Sequence, residues 1–154
     1  MIYLCGGING LSDADAKDWR EQAKRWLAPL KTSDPMDRDY RGVEEPNVYQ
    51  IVTGDLDAID ECDVVLAMCL SPSWGTAMEI KYASDVGKHV IAVVDTDKPS
   101  PWLIYHTVRR CRGLRDACDF AIAAFSLRHI GYLGASCDRC GQPQREGEVC
   151  SGHC

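Results

Sequence analysis

Residues 63–95 read DVVLAMCLSPSWGTAMEIKYASDVGKHVIAVVD, and this stretch decides the fold. It begins and ends with an apolar run of a strand's length. Between the two runs lie a polar, glycine-containing corner at residues 71–76 and a segment that carries Met78, Tyr82 and Val86 at helical spacing. The pattern predicts a strand, a loop, a helix and a strand, which together form the βαβ unit of a parallel sheet.

The rest of the chain alternates in the same way. The further predicted elements are a strand at residues 1–5, a helix from Ser12 to about residue 27, a short strand within 31–39, and helices at 47–61 and 114–128. Residues 102–110 fit either a helix or an irregular segment. This order predicts an α/β fold with a doubly wound parallel sheet of four to five strands, in a flavodoxin-like order with strand 1 beside strand 3.

Length and charge narrow the class of protein. A chain of 154 residues is long enough for one domain with a real core. Its net charge of −6 argues against general binding to nucleic acid or to anionic membranes, although a small anionic substrate remains compatible. No apolar run approaches the roughly 18 residues that span a bilayer, and the first residues lack the features of a signal peptide. We therefore expect a cytoplasmic protein without a membrane partner.

The nine cysteines fall into two groups. Five are scattered among apolar residues, and the simplest interpretation is that they are small buried hydrophobic side chains. The other four crowd the last eighteen residues, so we divide the chain into a domain at 1–130 and a linker with a cysteine-rich tail at 131–154.

The spacing in this tail is typical of a zinc knuckle. The expected ligands of one structural zinc ion are Cys137, Cys140, Cys150 and Cys154, with His153 as the alternative fourth ligand. Two disulfides or a disordered tail are the competing interpretations, and a cytoplasmic location disfavours disulfides. A tail of this kind could contact a protein or a nucleic acid, although nothing in the sequence supports either partner.

Residues that could bind a ligand or take part in a reaction converge on one edge of the predicted sheet. A glycine-rich turn follows strand 1, the polar corner follows strand 3, and Glu79 and Asp55 supply carboxylates. Amide and hydroxyl groups at helix N-termini bind phosphate, and two carboxylates suit glycosidic chemistry. The candidate substrate-binding residues are Gly6, Gly7, Ile8, Asn9, Gly10, Ser73, Gly75 and Thr76. Taken singly, Glu79 could be a solvent-facing helix residue, Ser73 an ordinary N-cap and Tyr3 a core residue.

Three ordered strings carry a resemblance. IYLCGGING at 2–10, DLDAIDECDVVLA at 55–67 and SWGTAMEIKYA at 73–83 are similar to the nucleoside 2-deoxyribosyltransferase superfamily, over roughly residues 1–130. The resemblance implies that Glu79 is the nucleophile that attacks C1′ of the sugar. It also implies that Asp55 is the acid that helps the base leave, and that Tyr3 orients the nucleophile.

One position separates the branches of this superfamily. Six residues before the glutamate, the transferases carry an acid that binds the sugar 5′-hydroxyl, whereas the nucleoside 5′-monophosphate N-glycosidases carry a serine that holds the 5′-phosphate. This chain has Ser73 there and so resembles the N-glycosidases. It departs from them at Gly7 and Asn9, where they often have serine and arginine, and Arg38 or Arg41 could supply the missing cation.

The resemblance therefore implies hydrolysis of the N-glycosidic bond of a (deoxy)ribonucleoside 5′-monophosphate, without an organic cofactor. The first alternative is a deoxyribosyltransferase that exchanges bases, and the second is a non-catalytic nucleotide sensor. The family also implies a homodimer or larger assembly, in which a neighbouring subunit completes the site. The candidates for that contact lie within residues 97–110 and are His106, Arg109 and Arg110.

Overall fold

The computed structural model describes residues 1–129. The predicted zinc ligands Cys137, Cys140, Cys150 and Cys154, the alternative ligand His153 and the tail at 131–154 lie outside the described residues. Within residues 1–129, no group of three or more histidine, cysteine, aspartate or glutamate side chains is placed to hold a metal ion. None of the helices in this part of the chain has the length and apolar character to cross a membrane.

Strands and helices alternate along the described chain. The strands are Ile2–Gly6 (β1), Thr32–Ser33 (β2), Val64–Met68 (β3), His89–Val93 (β4) and Arg109–Cys111 (β5). The α-helices are Trp19–Leu27 (α1), Val48–Glu61 (α2), Trp74–Asp85 (α3), Pro101–Tyr105 (α4) and Leu114–His129 (α5). A π-helical turn, Ala14–Asp18, leads into α1, and two 3₁₀ turns, Pro35–Arg38 and Glu45–Asn47, connect β2 to α2.

The five strands form one parallel sheet in the order β2-β1-β3-β4-β5. Both the doubly wound class and the placement of strand 1 beside strand 3 are confirmed. The chain leaves β1 toward β2 on one side and returns to β3 on the other, so the direction of winding reverses between β1 and β3. Open α/β sheets bind ligands at the carboxyl ends of the strands at such a reversal.

Two apolar layers cover the sheet. Because side chains alternate along a strand, Ile2 and Leu4 face α1 and α5, whereas Tyr3 and Cys5 face α2 and α3. The first layer contains the buried stripe of α5, with Ala117 among its members. The second layer ends at the carboxyl edge of β1, which places Tyr3 and Cys5 beneath the first turns of α3.

Two helices bury only part of their apolar residues. In α3, Met78 and Val86 stand at helical spacing but are exposed, whereas Ile80 and Ala83 are buried. Ile80 and Ala83 pack against the side chains of β3 and β4. In α2, only Ile59 is buried, because the first half of that helix borders an open cleft.

The segment at residues 102–110 holds an element that its sequence does not reveal. It forms the short helix α4 and then the edge strand β5, which completes the sheet with a fifth strand. Arg109 and Arg110 occupy two of the three β5 positions, and their charge hides the strand from any search for apolar alternation. An edge strand needs only one apolar position toward the core, here Cys111.

Candidate active site

Glu79 lies in the second turn of α3, on the side of the helix that faces the carboxyl end of β1. The helix begins where the sequence places a polar corner, because the Ser73 side chain accepts a hydrogen bond from the Thr76 backbone N–H at 3.3 Å. This N-cap fixes the start of α3, and the helical spacing then carries Glu79 over the sheet edge.

Both carboxylate oxygens of Glu79 receive a hydrogen bond from β1. The Tyr3 hydroxyl donates to Oε1 at 2.8 Å, and the Cys5 thiol donates to Oε2 at 2.9 Å. Tyr3 and Cys5 are fully buried, so neither donor can turn toward water. The carboxylate is therefore held in one orientation by two rigid donors.

Burial and neighbouring charge set the protonation of these groups. Burial raises the pKa of Glu79, and the nearby Asp55 charge adds to this, while the bonds from Cys5 and Tyr3 act in the opposite direction. Burial also raises the pKa values of Cys5 and Tyr3, and the adjacent Glu79 raises both further. Cys5 and Tyr3 thus keep their protons near neutral pH and remain hydrogen-bond donors to Glu79.

Asp55 approaches the same region from α2. Its Oδ1 accepts from Nη2 of Arg38 at 2.7 Å, and burial raises its pKa while Arg38 opposes that rise. Its charge acts on both Tyr3 and Glu79. The structure therefore brings together the three predicted catalytic residues, one each from β1, α2 and α3.

Asp55 and Glu79 line a cleft of about 320 Å³ between α2, α3 and the loop after β1, and the fully buried Tyr3 lies behind Glu79. Of the predicted substrate-binding residues, the cleft lining includes Gly6, Ile8, Asn9, Ser73, Gly75 and Thr76. Gly7 lines a separate cavity beside α1, and Gly10 lies in the turn with a φ of 74°, which favours glycine. The opposite end of the cleft is apolar and includes Val48, Ile51 and Val52 of α2.

Arg20 of α1 lies fully buried beneath the loop after β1. Its Nη2 donates to the Gly6 carbonyl at 2.8 Å, and its Nη1 lies 3.5 Å from the Gly7 carbonyl. Its Nε pairs with Asp34 at 3.2 Å, and Asp34 also caps the 3₁₀ turn Pro35–Arg38. One buried cation thus fixes the loop after β1 and the segment after β2.

The cations suggested for phosphate binding are engaged elsewhere. Arg38 pairs with Asp55, and Arg41 pairs with both Asp39 and Asp13 at 2.6 Å. Both arginines line the cleft, but their charges are balanced by carboxylates of the same chain. Near Ser73 the cleft therefore presents the hydroxyl groups of Ser73 and Thr76, while both arginines that line it are paired with carboxylates.

The residues expected to reach a neighbouring site make contacts within their own chain. His106 is 7% exposed, and its ring contacts those of Trp102 and Tyr105. Arg110 donates to the backbone and side chain of Thr107, and Arg109 stacks over Phe120. Their contact with a neighbouring subunit stays a prediction.

Sequence reasoning missed three residues of this region, although each had a signal. Cys5 shares the face of Tyr3 two positions away, Arg20 falls in the buried stripe of α1, and Gly54 interrupts a helical pattern. The missed residues are Cys5, Arg20 and Gly54. Arg38 was named only as a possible phosphate cation, and no pattern in the sequence indicates its pairing with Asp55.

Comparison with known proteins gives a consistent result. A family model described as nucleoside 2-deoxyribosyltransferase matches residues 2–144. No curated protein matches the chain. A 2-deoxyribosyltransferase from Bacillus psychrosaccharolyticus superposes with a TM-score of 0.64 at 18% identity, covering 79% of this chain and 93% of that one. The CMP N-glycosidase of Clostridium botulinum superposes with a TM-score of 0.52 at 22% identity, covering 78% and 96%. These likenesses show the fold.

Proposed function

The chain belongs to the nucleoside 2-deoxyribosyltransferase family, and from this premise we propose that it hydrolyses the N-glycosidic bond of a (deoxy)ribonucleoside 5′-monophosphate. Glycosyl transfer or N-glycosidic cleavage on nucleosides or nucleotides is the activity of the family and of its structural neighbours. The products proposed here are the free base and a sugar 5-phosphate.

One observation carries the proposal, namely the Glu79 carboxylate with a donor on each oxygen. A helix-surface glutamate would have neither the buried Tyr3 hydroxyl nor the buried Cys5 thiol as a partner. Fixed orientation matters for a nucleophile, because an attack on carbon needs the reacting oxygen held close to the line of the breaking bond. The second carboxylate, Asp55, supplies the group that handles the proton of the departing base.

The proposed reaction has two displacements. A Glu79 oxygen attacks C1′, the bond between C1′ and the base nitrogen breaks, and the base leaves with a proton that Asp55 supplies. Water then attacks C1′ of the glycosyl-enzyme, its proton passes to a carboxylate, and Glu79 is released. Two displacements retain the configuration at C1′. In the alternative reaction, a second free base takes the place of water.

The phosphate end of the cleft supports a nucleotide over a nucleoside. The Ser73 oxygen accepts from the Thr76 N–H, and its own hydroxyl hydrogen is left to donate to an anion. Thr76 is 5% exposed, and its Oγ1 has no hydrogen-bond partner in the described part of the chain. Both hydroxyls lie in the first turn of α3, where the helix dipole also favours a negative charge.

Product analysis tests the reaction. A panel of nucleoside 5′-monophosphates is incubated with the protein, with and without a second free base, and the products are separated by chromatography. Release of base and sugar phosphate in both conditions supports hydrolysis. A new nucleoside that forms only with the second base supports transfer instead and contradicts the proposal.

Ser73→Asp tests the phosphate assignment. Aspartate is as good an N-cap as serine, so α3 keeps its start while a carboxylate faces the phosphate. At about 4 Å and an effective dielectric of about 20, one pair of like charges costs up to about 4 kcal/mol, so activity on monophosphates falls tenfold or more. Ser71→Asp is the matched control, because Ser71 is exposed in the same loop but borders the other cavity. Equal activity in the two variants contradicts the assignment.

The sensor interpretation makes an opposite prediction for Glu79→Ala. If the domain only binds nucleotides, the wild-type protein turns over no member of the panel while ligands still bind. If it is the proposed enzyme, wild-type turnover is measurable and Glu79→Ala abolishes it. Turnover that survives this substitution contradicts the assigned nucleophile.

A homodimer is the proposed assembly. Large apolar side chains are exposed on α3 and α4, and monomeric proteins rarely expose large contiguous apolar patches. They are Trp74, Met78, Trp102 and Tyr105. Sedimentation of the wild type and of Trp102→Glu tests this, because a dimer that uses this surface dissociates in the variant, and a wild-type monomer contradicts the proposal.

A further inference from the structure

Arg38 lies directly on the backbone of α2 at Gly54. A Cβ atom built on Gly54 would lie 1.5 Å from Nη1 and 2.7 Å from Cζ of the Arg38 guanidinium. The same guanidinium donates from Nη2 to Asp55 at 2.7 Å, and its Nη1 lies 3.5 Å from the Gln50 carbonyl. No side chain larger than hydrogen at position 54 is compatible with this placement.

The backbone itself does not require glycine at this position. Gly54 lies inside α2 and is not among the glycines with a positive φ, which in the described chain are Gly10, Gly42 and Gly87. Glycine inside a helix costs roughly 0.5–1 kcal/mol relative to alanine. The space that it leaves is filled by the guanidinium, so the position is explained by Arg38 and not by the helix.

Four groups face Asp55 from the elements around it. Arg38 comes from the 3₁₀ turn after β2, and Tyr3 comes from β1. Glu79 of α3 and Arg20 of α1 act on it through their charges. Arg20 is already paired with Asp34, which leaves Arg38 as the cation in direct contact with the Asp55 carboxylate.

We propose that Gly54 and Arg38 are positioning residues for Asp55. Gly54 leaves the space in which the guanidinium lies, and the guanidinium holds one Asp55 oxygen, so that the carboxyl group keeps a fixed orientation toward the cleft. The catalytic consequence rests on the proposed function, because it assumes that Asp55 handles the proton of the departing base. The geometric part stands on the contacts of Gly54 and Arg38 alone.

The placement also affects the charge of Asp55. Burial favours the protonated carboxyl, and Arg38 favours the ionised one. Displacement of the guanidinium therefore raises the pKa of Asp55. It does so without any change at Asp55, Tyr3 or Glu79, which distinguishes this effect from damage to the catalytic groups themselves.

Gly54→Ala is the decisive variant, because the new methyl group displaces the guanidinium while alanine favours the helix. Arg38→Gln removes the positive charge directly, and Arg38→Lys keeps the charge on an ammonium group, which is smaller than the guanidinium. Gly113→Ala is the control, since a Cβ there meets no atom within 4 Å. Thermal unfolding of each variant shows that the fold is kept.

The primary measurement is the titration of the Asp55 carboxyl carbon by ¹³C NMR, assigned from its loss in Asp55→Asn. We expect Gly54→Ala and Arg38→Gln to raise the pKa of Asp55, Arg38→Lys to raise it less, and Gly113→Ala to leave it unchanged. We also expect kcat/KM to fall about ten- to hundredfold in the first two, as for the loss of a hydrogen bond to a charged group. The pKa that Asp55 contributes to the pH profile of kcat/KM should rise together with the pKa measured by NMR.

An unchanged Asp55 titration in Gly54→Ala overturns the proposal, and so does wild-type kcat/KM in that variant. If the pKa of Asp55 rises in both variants while the wild-type protein turns over no nucleotide, the positioning by Gly54 and Arg38 is upheld and the proposed function fails. The two failures are therefore distinguishable.

Discussion

Tyr3→Phe removes the hydroxyl that donates a hydrogen bond to the proposed nucleophile. The hydroxyl of Tyr3 donates to Glu79 Oε1 at 2.8 Å from a fully buried ring, and phenylalanine fills the same space without the donor. A hydrogen bond to a charged group is worth about 1.5–3 kcal/mol. We therefore expect this loss of stability at a pH where Glu79 is ionised, and a fall in kcat/KM of about ten- to hundredfold as the carboxylate loses its fixed orientation.

The sign of the pH dependence follows from the bond. Tyr3 stabilises the ionised form of Glu79, so its contribution is present above the pKa of Glu79 and is lost as the pH falls through it. The difference in free energy of unfolding between wild type and Tyr3→Phe should thus be largest above the pKa of Glu79 and shrink as the pH falls below it. Without this donor the pKa of Glu79 rises further, and the acid limb of the kcat/KM profile moves to higher pH.

The assay combines base release at several pH values with urea unfolding at the same pH values. Tyr82→Phe is the matched control, because the exposed Tyr82 hydroxyl donates to the Asp60 carboxylate at 2.9 Å, away from the cleft. The control should keep wild-type kcat/KM and lose less than about 1 kcal/mol. If Tyr3→Phe behaves like Tyr82→Phe in both measurements, the Tyr3 hydroxyl does not orient the nucleophile.

Three further changes test the rest of the site and the tail. Glu79→Gln should abolish base release and raise the free energy of unfolding at pH 8 by about 1 kcal/mol, because a buried carboxylate no longer has to ionise; a less stable variant contradicts this. Cys5→Ala should lower kcat/KM about five- to tenfold and Cys5→Ser should restore it, since serine keeps a donor for Oε2, and equal rates in both variants argue against the thiol. The 154-residue chain should contain about one zinc ion by plasma mass spectrometry, and Cys137→Ser should contain less; a metal-free wild type contradicts the zinc knuckle.

The sheet was predictable because its signals are local. The βαβ unit at 63–95 shows both apolar strands and the helix between them. The alternation of elements does not determine the strand order, and the expected neighbours, strand 1 and strand 3, are adjacent in the sheet. β5 was not predictable, since two of its three residues are arginines. Met78 and Val86 stand at helical spacing in α3 yet are exposed, so spacing alone does not reveal which stripe of the helix packs on the sheet.

The predicted catalytic residues meet in space, yet the sequence could not show what holds them. Tyr3, Asp55 and Glu79 are separated by long stretches of chain and are joined by the sheet edge and two helices. The thiol of Cys5 bonds to Glu79 only because two adjacent strand positions on one face lie under α3. The pairing of Arg38 with Asp55 depends on the path of the segment after β2, which is too polar and irregular for sequence patterns to fix.

The buried Arg20 joins two walls of the cleft that are far apart in sequence. It bonds to the carbonyl groups of Gly6 and Gly7 on one wall and to Asp34, the cap of the turn that ends at Arg38, on the other. The width of the cleft is thus fixed when the protein folds. The conformational entropy of these walls is lost on folding. A substrate that binds later meets a preorganised site, so its binding free energy does not include the cost of ordering the walls.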